Sequence, residues 1–507
     1  MNTDDLSSAG SHLTIQELPL VVRDLFALAH HELLPGAAHP WELFVRYLRR
    51  KPGRGLAIIY DASEIRPRHQ RAGAAHRAIS LTIDEQALSG SAIRISPAQA
   101  RNAPLEQQSA GILRATELGL ALQAFPADSS LSKLADCCDT SAGSPLLASL
   151  RDAARLRLGD DRWQLLTARA VPVRYKPASR CVIRYDLTLA RQPGSDQPRA
   201  LSIFGKVYAN PAQARTVQAL AQQLYAEQLT LQGSTVAGFT QQTPFLPGPL
   251  LFVESLGLTL TEAVQPATPG GKLRTGTSVL QPEIVSTRGG KIVSPEPPAS
   301  ELRLAAIALA RLHTSQIKPG QETFRPGKKE AKRAHERAGL LAGYYPTQAA
   351  DIQDLALTLA QRLETLQPET YRPAHGGFKA SQLLYHDDTI AVVDFDGFCL
   401  ADPALDVGYF LAYLRPSGLW YGRQGMRAWF EAAAEIFTTT YARALQELGV
   451  SSHETTSILH RSHLYSAALL FKIATRRVNR LNSPRQQELA GMLKEIATCL
   501  ALATRRE

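Results

Sequence analysis

The residues best suited to chemistry lie in one segment, 375–414, which reads HGGFKASQLLYHDDTIAVVDFDGFCLADPALDVGYFLAYL. Leu383-Leu384 and the polar turn His386-Asp387-Asp388-Thr389 precede an apolar run, Ile390-Ala391-Val392-Val393, that ends at Asp394-Phe395-Asp396. This order predicts a hairpin with a polar loop on one flank and a carboxylate pair on the other. Such a site suits Mg²⁺, a hard octahedral ion that takes one or two carboxylates and completes its shell with substrate phosphates. A second chemical residue stands far upstream, Lys206 within the apolar run Phe204-Gly205-Lys206-Val207-Tyr208. A lysine buried in a strand is costly unless paired, so it is expected to reach an anion. Arg180, just after the turn at 176–179, is either a phosphate contact or an exposed turn arginine.

The segment resembles the aminoglycoside phosphotransferase and choline kinase-like family, small-molecule relatives of the protein kinases. The family's catalytic loop reads H-G-D-x-x-x-x-N, with a metal-binding Asp about a dozen residues later. His375-Gly376 match, Gln382 stands at the Asn position as in maltokinase-like branches, and Asp394 follows Gln382 by twelve positions. Ala401-Asp402-Pro403-Ala404-Leu405-Asp406 resembles the family's G-D-P-x-x-D, which opens a helix and braces the loop. Ala308-Leu309-Ala310-Arg311-Leu312-His313 is similar to a helix after the family's hinge.

The resemblance implies a two-lobed protein-kinase-like fold of the α+β class, with ATP and Mg²⁺ as cofactors and a small-molecule hydroxyl as substrate. It implies that Gln382 and Asp394 hold the metal and that Lys206 contacts the nucleotide phosphates. His375 would buttress the loop, and Glu227, the only acid in 211–227, would hold Lys206 in place. One departure is consequential: Gly377 stands where the family has its base Asp. That side chain orients the acceptor hydroxyl and takes its proton, a role worth ~10²–10⁴ in rate. Lys379 and Asp396 are the nearby residues that could contribute in its place. The alternative reading is a nucleotide-binding pseudokinase or scaffold.

Other motifs carry less. His30-His31-Glu32 lacks the second His of H-E-x-x-H, and His460 and His463 have no acidic partner at helical spacing. The two GGK triplets do not complete a P-loop, and G-x-S-x-G is absent. Five scattered cysteines form no CxxC pair, against both a disulfide framework and a zinc knuckle. Lys472, Arg476 and Arg480 recur every four residues, which predicts a solvated basic helix face rather than a nucleic-acid stripe.

The elements that must position these residues change character along the chain. Helices are expected at 13–34, 41–50 and 145–157, and strands at 56–60, 79–83 and 118–124. Together these make an amino-terminal α/β extension, 1–157. A lobe at 158–263 is expected to carry a hairpin from 163, a third strand around Lys206, a helix at 211–227 and a strand at 250–255. Residues 264–300, rich in Pro, Gly, Ser and Thr, predict a flexible insertion. A helical lobe, 301–507, follows, with helices at 301–315, 328–343, 348–365, 424–448 and 454–501 around the segment 383–400. The whole chain has 507 residues, 44% hydrophobic and 20% charged, with 56 Lys+Arg against 46 Asp+Glu. A net charge of +10 is mild at this length and fits a surface that attracts small anions. The polar start and the lack of any long apolar run predict a cytoplasmic protein with no membrane span and no nucleic-acid partner.

Overall fold

The structure, a computed structural model, describes residues 41–504 apart from 52, 54, 65–75, 90–91, 94–103, 105, 192–196, 265–271, 288–289, 295, 321–322 and 481–485. The helix expected at 13–34 lies outside the described residues. The chain is α+β, with β-rich amino-terminal sheets and a mainly helical carboxy-terminal part. Two compact units form: described residues up to Ala214 with Val253–Thr259 and 479–480, and a second unit of Arg215–Phe252, Leu260–Val478 and the described residues after 485.

The first unit holds an antiparallel six-stranded sheet in the spatial order Trp41–Lys51, Gly55–Glu64, His76–Ile83, Leu120–Ala124, Ile112–Ala115, Glu106–Ser109. The segment 41–50, expected as a helix, is the edge strand here. Between Val45 and Tyr47 the register shifts by a bulge. The extra residue breaks strict alternation, so the apolar positions mimic helical spacing. A second meander in this unit joins Trp163–Lys176, Arg180–Arg191 and Arg199–Tyr208. These strands belong to the same compact unit as the six-stranded sheet. Asp128 explains the union: its carboxylate accepts from Tyr175 Oη at 2.7 Å and from the Ala178 amide at 2.9 Å, fixing the turn at 176–179. The Tyr185 hydroxyl donates to the Cys137 carbonyl at 2.8 Å.

The second unit is built on buried helices. Ala299–His313 is apolar nearly all round and buried from Leu304 onward, as a core helix must be. Ala404–Leu414 is buried from Ala404 through Ala412. Phe410 stacks on Phe437 with ring centres 4.1 Å apart. The long helix Ser452–Val478 is clamped to the chain start of that buried helix by Arg461, whose Nε and Nη2 donate to Asp402 at 2.9 and 3.0 Å. The stretch expected as one helix over 454–501 is two, ending at Val478 and resuming at Leu489, with Pro484 in the sequence between. Among the described residues no helix is long and apolar enough to cross a membrane.

A flexible insertion is the expectation for residues 264–300. Their described part contains the short strand Arg274–Thr275, a helical turn Gly276–Val279 and the hairpin Ile284–Thr287 with Gly290–Val293. Arg274 and Thr275 pair with Tyr385 and Leu384, adding a strand to the hairpin beside the 375–382 loop.

Candidate active site

The loop at 375–382 leaves the strand Arg372–Ala374, which pairs with Cys399–Ala401 and so fixes both ends of the segment. Gly376 has φ +72°, and a Cβ there would lie 2.0 Å from the Gly397 carbonyl oxygen, so only glycine fits this crossing. Gly377 differs: its φ is outside the left-handed region and a Cβ would meet no heavy atom within 4 Å.

Asp406 braces the loop from below. It is fully buried and accepts from the amides of Gly376 and Phe378 at 3.3 and 3.2 Å. Burial pushes its carboxyl up, but His313, His375 and the Phe378 amide outweigh this and hold it below the usual range. His313 Nε2 lies 3.5 Å from Asp406 and its Nδ1 2.7 Å from Tyr441 Oη, extending the support into the core. His375 is buried with Nε2 3.2 Å from the Val393 carbonyl, a contact in which the ring donates. Burial lowers its pKa, and Nδ1 has no partner among the described residues.

The structure brings Gln382 and Asp394 together. The Gln382 amide nitrogen stands 3.5 Å from Asp394 Oδ2, at the outer limit of a hydrogen bond. The Val393 amide donates to the Gln382 carbonyl at 2.9 Å, tying loop to hairpin. Gln382 Oε1 is buried and has no hydrogen-bond partner among the described residues. A buried carbonyl oxygen with no donor, beside a carboxylate, is the donor set a hard cation accepts. Asp394 itself has φ +72°, a left-handed conformation that Asp tolerates better than most residues. Asp396 sits two residues on, in the half-buried turn Phe395–Gly397. Among the described residues no group of three His, Cys, Asp or Glu could hold a metal, so an ion here would draw further ligands from phosphate and water.

The upstream candidates are placed differently. Lys206 lies in Arg199–Tyr208 opposite Val182, half-buried rather than buried, because it falls on the partly exposed face of an alternating strand. Its ammonium stands 5.2 Å from the centre of the Tyr208 ring. Arg180 opens the neighbouring strand opposite Tyr208. Glu227, in the helix Pro211–Thr230, accepts from Ser315 Oγ at 2.5 Å and from the Gln316 amide at 2.7 Å. Both of its oxygens thus secure the segment after the helix Ala299–His313.

Sequence reasoning missed Arg325. Its guanidinium donates to the Gly376 carbonyl, the Tyr409 hydroxyl and Glu330 Oε1, each at 2.7 Å. It thereby holds the residue immediately before Gly377. A lone arginine fifty-one positions upstream of the loop carries no spacing signal that could have marked it.

Residues 265–445 match the phosphotransferase enzyme family, a span that contains the whole 375–414 segment. Among curated proteins none matches. Among solved structures, the chain is similar to a glucosamine kinase at 16% identity and TM-score 0.41, covering 92% of this chain and 95% of that one. It is similar to a choline/ethanolamine kinase family protein from Mesorhizobium loti at 15% identity and TM-score 0.36, covering 63% and 85%. An ethanolamine kinase from Plasmodium vivax aligns at 10% identity and TM-score 0.39, covering 74% and 95%.

Proposed function

We propose that this chain is an ATP-dependent phosphotransferase that phosphorylates a hydroxyl of a small molecule. The observation that carries the reading is the Gln382–Asp394 pair, with its partnerless buried oxygen, on a loop braced by a buried Asp406. The match of 265–445 to the phosphotransferase enzyme family supports it. Gln382 and Asp394 would hold Mg²⁺, whose chemistry is to neutralise charge on the transferring phosphate. His375 keeps the loop in place, and Lys206, with Arg180 beside it in the sheet, is assigned to the nucleotide phosphates. With Gly377 in the base position, no side chain at that point takes the acceptor proton. Positioning and electrostatics carry most of phosphoryl transfer, so turnover survives at a reduced rate.

A second reading, a nucleotide-binding pseudokinase or scaffold, is favoured by Gly377 alone. Two measurements on the purified chain separate the readings. Mg·ATP should raise the thermal midpoint of the wild type, by linkage of binding to folding, and raise it less in Lys206→Ala and Asp394→Ala. Asp394→Asn is the companion variant, since Asn tolerates the left-handed backbone and removes only the charge. ADP release against a panel of hydroxyl compounds then tests transfer. A thermal shift equal in all proteins would defeat the nucleotide assignment, and binding without transfer to any acceptor would favour the pseudokinase.

A further inference from the structure

Three helices of the second unit, with Arg325 just before one of them, bring cations together around two tyrosines. Gly327–Tyr344 presents Glu330, Arg333 and Arg337 at i, i+3 and i+7, and Ser452–Val478 presents Lys472 and Arg476 at i and i+4. Between them Ala404–Leu414 supplies Tyr409 and Tyr413, also four apart. The Lys472 ammonium lies 5.1 Å from the Tyr409 ring centre, and the Arg325 guanidinium lies 5.4 Å from it. Arg476 donates to the Tyr413 hydroxyl at 2.7 Å. Arg337 donates to the Ala468 carbonyl at 3.3 Å. Among the described residues these five cations bond a single carboxylate, Glu330, through Arg325 at 2.7 Å and Arg333 at 2.5 Å. Arg333 and Arg476 are exposed while Lys472 and Arg337 are half-buried, so the cluster is open to solvent on one side. The basic face expected at 472–480 is therefore neither continuous nor simply solvated: Lys472 packs on Tyr409, and Arg480 lies beyond the helix end.

The cluster touches the loop on both sides of Gly377. Arg325 holds the Gly376 carbonyl at 2.7 Å, and Lys379 stands 5.6 Å from the centre of the same Tyr413 ring whose hydroxyl Arg476 binds. Gathering like charges with one counter-charge opposes folding, because each repels the others and loses water. We infer that this cluster is the acceptor subsite, and that the molecule phosphorylated is an acid: a hydroxyl compound that also carries a carboxylate or a phosphate. This rests on the phosphotransferase reading and names its substrate class. Transfer forms an O–P bond at the acceptor hydroxyl and breaks the bond between the β,γ-bridging oxygen and the γ-phosphorus of the nucleoside triphosphate. The diphosphate leaves and the hydroxyl proton passes to water. The cations fix the acid end and leave the hydroxyl toward Gly377.

Protonation adds a pH signature. Burial, then Arg476, Arg337 and Arg325, push the Lys472 ammonium down to about 6, with Glu330 opposing and Tyr409 facing it. An anion favours the protonated form, so its affinity falls as pH rises above about 6.

The test uses the full chain without nucleotide. Gluconate, glucose 6-phosphate and inorganic phosphate are titrated by calorimetry, with glucose and glucosamine as uncharged and cationic controls. The acids are expected to bind at least tenfold more tightly than the controls and to weaken about tenfold in both Arg476→Gln and Lys472→Met. Gluconate, whose charge is constant in this range, should also bind more weakly at pH 8 than at pH 6 in the wild type, and show less pH dependence in Lys472→Met. Glucose or glucosamine binding as tightly as the acids, no binding of any acid, or acid binding unchanged in both variants would overturn the inference. Mg·ATP-dependent turnover separates its failure from that of the parent reading. Phosphorylation of neutral or cationic acceptors alone overturns the acid subsite and keeps the phosphotransferase. Acid binding that depends on Arg476, without Mg·ATP binding, keeps an anion site and removes the phosphotransferase.

Discussion

At Gly377 the chain lacks the side chain that would take the acceptor proton, yet the backbone there leaves its place open. A Cβ meets no heavy atom within 4 Å and the φ carries no left-handed penalty, which belongs instead to Gly376. Gly377→Asp should therefore fold as the wild type does and raise turnover on an accepted substrate by about 10²-fold, read as kcat. Robust wild-type turnover with no gain would mean that another group serves, with Asp396→Asn and Lys379→Ala the variants to compare. Lys472 makes a separate prediction. Its ammonium is depressed to about 6 in the fold. Unfolded lysine binds its proton up to about pH 10.4, so stability at this site rises as pH climbs from 6 toward that value. Lys472→Met removes the penalty and should raise the thermal midpoint near pH 7, by ~1–4 kcal/mol in stability. A lower midpoint would show that the lysine is structural.

At the scale of elements, the strand Arg274–Thr275 and the turn after it decide how the loop is held. Gly276 has Ala380 O only 2.3 Å from where a Cβ would sit, so Gly276→Ala must push on the loop itself. That variant should lose turnover while the far-UV spectrum stays unchanged; full activity would mean that this contact yields without effect. Arg274 is paired in register with Tyr385 and bonded to Glu301 at 2.9 Å. Trypsin should consequently spare Arg274 in the native chain. Early cleavage there, mapped by mass spectrometry, would contradict the pairing.

Across the second unit, helices are joined by buried acid–base pairs. Besides Asp402–Arg461, Glu454 accepts bidentate contacts from Arg372 and Glu495 bonds both Arg415 and Arg427. Burial would raise the Glu330 carboxyl, but Arg325 and Arg333 more than reverse this and hold it at about 2. Its contribution is full above about pH 4.3, the unfolded value, and is lost as pH falls through about 2. Helical signal at 222 nm should accordingly persist at pH 4 and fall between pH 4 and 2. Loss of helix already at pH 5 would argue that these pairs are not holding the unit.

The sequence alone brought His375, Gln382 and Asp394 into one local segment, because they lie within twenty residues and their hairpin is set by local alternation. It also determined most helices and the meander around Lys206, whose apolar periods are uninterrupted. The edge strand at 41–51 escaped because a bulge between Val45 and Tyr47 erased its alternation. Lys206 was placed in the correct strand, but its half-buried setting depends on which face the sheet covers. Tertiary structure alone decided that Arg325 and Glu330 meet Lys472 and Arg476, which lie up to 151 residues away in the chain. Charges this far apart in the chain meet only when the tertiary fold packs them together.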